Sequence, residues 1–159
     1  MITVEIKGDR ELIARLEAMP DKVKANLRKT VTSLSLQLEA RVKQKLSGQV
    51  LKVRTGNLRD SIDHEVTVTD AAVTGRVFSK KDVKYGAIHE FGGKTRPHVI
   101  VPRNAAVLAF PLNGKTVFAR RVNHPGSNIP SRPFMRPTLA EMKEKIITRM
   151  NEAVTDGLK

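Results

Sequence analysis

The residues of this 159-residue chain that could carry chemistry are few, and their spacing narrows them further. Histidines stand at 64, 89, 98 and 124. His89 and Glu90 with His98 have the residue types of a metal-dependent nuclease centre. Metal sites built on one helical face place His at i and i+4, and no two histidines here have that spacing. Loop or surface histidines are the expectation, with no metal. "GGKT" at 92–95 and "NGKT" at 113–116 end like a phosphate-binding loop. That loop also needs a glycine five residues before its second glycine, where this chain has Ile88 and Ala109. There is no Gly-x-Ser-x-Gly elbow, and no cysteine to supply a thiolate or a disulfide. Asp60, Asp63 and Glu65 cluster at a turn and strand edge, where solvated charges are expected rather than an acid/base pair. No catalytic residue and no cofactor are expected.

The charge is more informative. Lys and Arg number 29 against 16 acids, a net charge of +13. No acid lies between Glu90 and Glu141, a window holding Lys94, Arg96, Arg103, Lys115, Arg120, Arg121, Arg132 and Arg136. Such a field attracts polyanions or acidic protein surfaces. Aromatics make up 4% of the chain, which is poor for the base stacking of single-strand binders. Contact with a nucleic-acid backbone or with protein fits better than sequence reading. The partner-contact candidates are Arg59, Glu90, Arg120, Arg121, His124, Arg132, Phe134, Met135 and Arg136. Glu90 is alone among cations, so an ion pair with a nearby Arg is expected, within the protomer or between subunits.

These residues must be positioned by a fold. "TVEIKG" (3–8) alternates like a short strand, and Asp9 can cap a helix through 10–18 with Leu12, Ile13 and Leu16 on one face. Pro20 suits the first turn of a second helix. Val23, Leu27, Val31, Leu34, Leu38, Val42 and Leu46 then recur at steps of three and four, one apolar stripe over about seven turns. "SGQVLKVRTGNL" (47–58) ends that helix, and Thr55 can cap a short turn holding Leu58 and Ile62. Residues 64–79 read as a hairpin turning near Asp70. Tyr85, Ile88 and Phe91 predict a short helix stopped by Gly92-Gly93. "HVIVP" and "AVLAFPL" read as strands, Asn113-Gly114 as a hairpin turn, and "KTVFARRV" as the returning strand. "NHPGSNIPSRPFMRP" (123–137) is an extended, proline-stiffened strap carrying Ile129, Phe134 and Met135, which either packs on a neighbour or closes its own core. A last helix begins near Pro137, with Leu139, Met142, Ile146, Met150 and Val154 as its stripe. The order predicts one α+β domain over 1–159: an antiparallel, twisted sheet with a long helix from the N-terminal half and a C-terminal helix packed on it. No stretch approaches the ~20 apolar residues of a membrane span, and the N-terminus lacks a signal-peptide layout. Synthesis in the cytoplasm is expected.

Three segments stand in a fixed order: "RTGNLRDSI" (54–62), "YGAIHEFGG" (85–93) and "FARRVNHPGSNIPSRPFMRPTL" (118–139). Together they resemble the tail-completion or head–tail joining proteins of long-tailed bacteriophages, also found in prophages as minor tail or morphogenesis proteins. The matching positions are Thr55, Gly56, Leu58, Tyr85, Glu90, Phe91, Gly92, His124, Pro125, Gly126, Arg132, Pro133 and Phe134. The resemblance implies a non-enzymatic virion assembly protein. It would be a subunit of a six-fold homo-oligomeric ring at the neck, between the head connector and the tail terminator or tube. It implies a place in the virion after assembly in the host cytoplasm. The acid-free window would meet acidic connector surfaces or, non-specifically, genomic DNA in the channel. A basic nucleic-acid-binding protein is the alternative on charge alone.

Overall fold

A computed structural model describes residues 3–5, 21–69, 71–80, 83 and 85–158. The expected helix through 10–18, its cap Asp9 and the turn residue Asp70 lie outside the described residues.

The long apolar stripe forms helix α1, Asp21–Gln44. Val23, Leu27, Val31, Leu34, Leu38 and Val42 are all buried along it. Full burial of such a side chain contributes roughly 1.5–3 kcal/mol, so the stripe is the main reason this helix forms where it does. A π-helical turn, Lys45–Gln49, ends it. Ser47 and Gly48 leave helical geometry there, Gly48 at φ 115°, while Leu46 stays buried. Helix α2, Asn57–Asp60, follows a Gly56 in the left-handed region. The Asn57 amide donates to Thr55 Oγ1 at 3.4 Å within the preceding turn, but the N-cap position belongs to Gly56, which has no capping side chain, and Ile62 lies in the strand that follows rather than in the short helix.

Strands β1 (Thr3–Glu5), β2 (Ile62–Val68) and β3 (Val73–Ser79) form an antiparallel sheet ordered β1-β3-β2. The β2–β3 hairpin runs in register from Ile62 opposite Ser79 to Val68 opposite Val73. Helix α3 spans Gly86–Phe91 and the final helix α4 spans Met135–Leu158. α4 packs along α1, and α1 also lies on β2 and β3. The fold is mixed α+β. Its main core joins Leu34, Leu38, Val42 and Leu46 of α1 and its π turn to Leu58, Ile62 and Val77. Phe134, Met135, Met142 and Ile146 complete it from the α4 side.

The remaining strands do not extend this sheet. β4 (Gly93–Lys94) pairs with β9 (Asn128–Ile129), β5 (His98–Ile100) with β8 (Val122–His124), and β6 (Leu108–Leu112) with β7 (Lys115–Ala119). The pairs nest one inside another, making a two-stranded antiparallel arm that leaves after α3 and returns before α4. Its tip is the expected hairpin, with Asn113 at φ 51° and Gly114 at φ 76°, as a tight turn of this handedness requires.

Helix α4 begins at Met135, two residues earlier than the proline suggested. Met142 and Ile146 are buried as expected, whereas Leu139, Met150 and Val154 are partly buried. No helix among the described residues is long and apolar enough to cross a membrane.

Candidate functional site

The base of the arm is fastened by a carboxylate. Helix α4 starts in "RPFMRP", which has no Ser, Thr, Asp or Asn to cap it. Its first amides are satisfied from outside the helix. The Glu90 carboxylate, on α3, accepts from Phe134 N at 2.7 Å, Met135 N at 3.0 Å and Arg136 N at 2.9 Å. Glu90 is 2% exposed. A negative charge at a helix N-terminus is favoured both by those donors and by the helix dipole. Two more bonds hold the returning chain to α3: Ser131 Oγ donates to the Glu90 carbonyl at 2.8 Å, and Arg132 N to the His89 carbonyl at 2.7 Å. The expected ion pair at Glu90 is thus replaced by a backbone cap within the protomer.

Phe134 and Met135, 0% and 1% exposed, lie in the protomer's own core. Of the two fates open to the strap, its apolar end takes the internal one. Arg120, Arg121, Arg132 and Arg136 are exposed, and Arg59 and His124 are half-buried. Arg136 lies over the exposed Phe91 ring at 4.6 Å, and Arg59 pairs with Asp60 at 2.8 Å. That hydrogen bond and the attraction behind it hold the Asp60 carboxyl below its ordinary pKa and raise that of Arg59.

The arm coincides with the acid-free window, and no residue from 91 to 133 is buried. It holds itself together by local contacts. Thr95 N donates to the Ser127 carbonyl at 2.9 Å, and Ser127 N to Thr95 Oγ1 at 2.7 Å. His98 and His124 face each other across β5 and β8, their rings stacked 5.0 Å apart. The Gly126 amide donates to His124 Nδ1 at 3.0 Å. Gly126 sits at φ +88°, and a Cβ there would stand 2.2 Å from the Thr95 carbonyl oxygen, so only glycine fits the "HPG" turn. Away from its base the arm exposes Val99, Val101, Leu112 and Phe118, the last 67% accessible. A lone two-stranded ribbon is at best marginally stable in water, so this surface is one that contact would stabilise.

The quoted segments also converge elsewhere. The π turn, residues 50–56 and the start of α2, Tyr85 just before α3, His89 of α3, and Arg132 line a groove of about 1170 Å³. The buried Leu46 and Leu58 form its floor, Leu51 and Val53 contribute accessible apolar surface, and Lys52, Arg54, Arg59 and Arg132 contribute charge. His89 Nδ1 is buried and has no hydrogen-bond partner among the described residues. Arg59 and Arg132 are separate candidates in the sequence; that they share a groove depends on a long-range approach no local spacing reveals.

The imagined His89–Glu90–His98 centre is not assembled. The Glu90 oxygens cap α4, and His98 lies on the arm with Nδ1 donating to the Arg96 carbonyl at 3.0 Å. Among the described residues the grouping of ligand type is instead Glu39, Asp63 and His64, within 4.8 Å of one another. Its charges are already answered. Lys43 bonds Glu39, His64 Nδ1 lies 2.5 Å from Glu39 Oε2, and Lys80 is 3.1 Å from Asp63. Partial burial raises the Glu39 pKa, but the Lys43 and His64 hydrogen bonds and their charges outweigh it and leave it lowered. The Lys80 bond, with the His64 amide, lowers that of Asp63. Asp60, Asp63 and Glu65 do not act as one cluster: Asp60 and Asp63 each pair with a different cation.

A comparison with protein families decides the kinship. The model described as "Bacteriophage HK97-gp10, putative tail-component" matches residues 10–92, more than half of the chain. The chain belongs to the HK97-gp10-like family. This gp10-like match contains two of the three quoted segments, "RTGNLRDSI" and all but the last glycine of "YGAIHEFGG". It ends where the arm begins, so arm and α4 lie beyond it. No curated protein and no solved structure matches this gp10-like chain. As a phage tail component by family, the chain has the virion as its place of action.

Proposed function

We propose that this gp10-like chain is a structural, non-enzymatic subunit of the phage neck. It assembles into a ring, six-fold like the tail, that joins the tail terminator or tube to the head connector. The observation that carries this reading is the arm: a cationic, acid-free ribbon with no buried residue, projecting from a base that Glu90 and the α4 N-terminus hold firm. A fixed base makes the arm a defined shape rather than a tether, and the exposed Phe118 and Val101 give it apolar surface to bury. A patch that meets a different patch on the next subunit closes into a ring when the rotation permits. The cations favour an acidic connector surface, since a conduit that gripped each passing phosphate would hold DNA rather than release it. Sedimentation velocity with and without isolated tail tubes tests this. Ring-sized species in the presence of tubes are expected, and a chain that remains monomeric and unbound at all concentrations contradicts it.

The alternative, a basic nucleic-acid-binding protein, draws on the same arm, because a two-stranded ribbon with basic side chains can enter a DNA groove. Titration with duplex DNA at two salt concentrations separates the two. The neck reading expects weak binding without sequence preference; tight, sequence-selective binding favours the alternative.

A further inference from the structure

The groove that gathers the quoted segments holds cations and apolar side chains together, and no carboxylate lines it among the described residues. We infer that it is a docking site for an acidic amphipathic segment of another polypeptide. Leu46, Leu51 and Leu58 line it, and Tyr85 and Val53 stand at it 44% and 47% exposed. Lys52, Arg54 and Arg132 have no ion-pair partner among the described residues; the fourth cation, Arg59, is taken by Asp60. The volume, about 1170 Å³, exceeds the ~300–1,000 Å³ of ordinary small-molecule sites, which suits a stretch of chain.

Charge selects among occupants. The arm of a second copy is itself acid-free and cationic, so it would bring like charge to Lys52 and Arg54. A phosphate backbone would answer the cations but leave the half-buried Leu51 and the exposed Val53 uncovered, and among the described residues lining the groove Tyr85 is the one Phe, Tyr or Trp ring for stacking. A segment with carboxylates on one side and apolar side chains on the other satisfies both halves, as helix-in-groove recognition does. The His89 Nδ1, buried without a partner among the described residues, adds one polar group at the wall.

The test uses the full chain and fluorescence anisotropy. The probe is a fluorescein-labelled synthetic helix of Glu and Leu arranged with all Glu on one face. Its isostere with Gln for every Glu and a thymidine oligonucleotide are the comparisons. Saturable binding of the Glu/Leu peptide is expected, with the Gln isostere at least roughly tenfold weaker. A Lys52→Gln, Arg54→Gln, Arg132→Gln variant should weaken the peptide by roughly 10- to 100-fold. An Arg103→Gln, Arg120→Gln, Arg121→Gln variant on the arm should leave it unchanged. All six positions are at the surface, and circular dichroism verifies the fold of each variant. Three results overturn the inference: no saturable peptide binding, equal binding of the isostere, or loss that follows the arm variant. An oligonucleotide that binds more tightly than the peptide and loses affinity in the groove variant overturns it in favour of nucleic acid. No residue of the paired arm strands lines the groove, so failure here leaves the arm's part in virion assembly open to its own test.

Discussion

The Glu90 carboxylate accepts the Phe134 amide at 2.7 Å across 44 residues of chain, and the whole arm lies between these two residues. One side chain therefore does two things. It caps the helix that completes the core, and it closes the base from which the arm projects. Replacing Glu90 by Ala leaves the amides of Phe134, Met135 and Arg136 without their acceptor at a buried site. A loss of about 2–4 kcal/mol is expected, and about half that for Glu90→Gln, which keeps an acceptor oxygen but not the charge. Chemical denaturation read by circular dichroism measures both. A Glu90→Ala variant within about 0.5 kcal/mol of the parent would show that the cap contributes nothing.

Phe134 separates a core residue from an interface residue. It is fully buried within one protomer, so Phe134→Ala should cost about 3–5 kcal/mol in the isolated chain. Phe118→Ala, at 67% exposure, should change stability by no more than about 0.5 kcal/mol and act on assembly instead. Equal effects of the two on the isolated chain would contradict this division.

Gly126→Ala should damage the arm while sparing the core. The new Cβ has the Thr95 carbonyl oxygen 2.2 Å away and a φ of +88° to bear. Hydrogen exchange should rise at the Thr95 and Ser127 amides, whose bonds depend on this turn, and remain unchanged at Leu38 and Met142. Unchanged protection at Thr95 and Ser127 would contradict the role assigned to Gly126.

Acid should loosen the contact between α1 and β2. The Glu39 and Asp63 carboxyls have lowered pKa values in the folded chain. A lowered carboxylate contributes stability that is fully present above its unfolded pKa, about 4, and is lost as pH falls through the folded value. Denaturation midpoints should therefore be insensitive to these groups above pH 5 or so and fall below about pH 4. Lys80→Ala and Lys43→Ala should flatten that acid slope. An acid slope identical in both variants and the parent would show that these pairs do not carry it.

How much of this was legible in the sequence depends on the range of the interaction. The stripe from Val23 to Leu46 is local, repeats with the helical period and is buried as its spacing implies. The Asn113-Gly114 turn is likewise local, because backbone sterics decide it. The Glu90 cap is not local. Its one sequence signal is negative: "RPFMRP" opens a helix without a capping side chain, so an acceptor must come from elsewhere, and Glu90 is the last acid before a long acid-free run. In the sequence β5, β6 and β7 read as strands, whereas β4, β9 and most of β8 do not, and the strand in "KTVFARRV" ends at Ala119. The alternation cannot say whether the strands join the main sheet or pair among themselves. The answer rests on burial: apolar residues such as Val99 and Phe118 remain exposed because no helix covers them. The groove joins positions 46–59 to 85, 89 and 132, an approach set by how α3 and the returning strap pack.

The arm's role is tested most directly by shortening it. In a phage encoding this chain, residues 95–127 are replaced by an Asn-Gly turn, which keeps Glu90, its three amide donors and the β4–β9 pair. The chain should fold, with a circular dichroism spectrum and denaturation midpoint near the parent's. Mass spectrometry of purified particles should then find the shortened chain absent, and infectious tailed particles should fall to background. Shortened chain incorporated at parental level, in particles that remain tailed and infectious, would contradict the account.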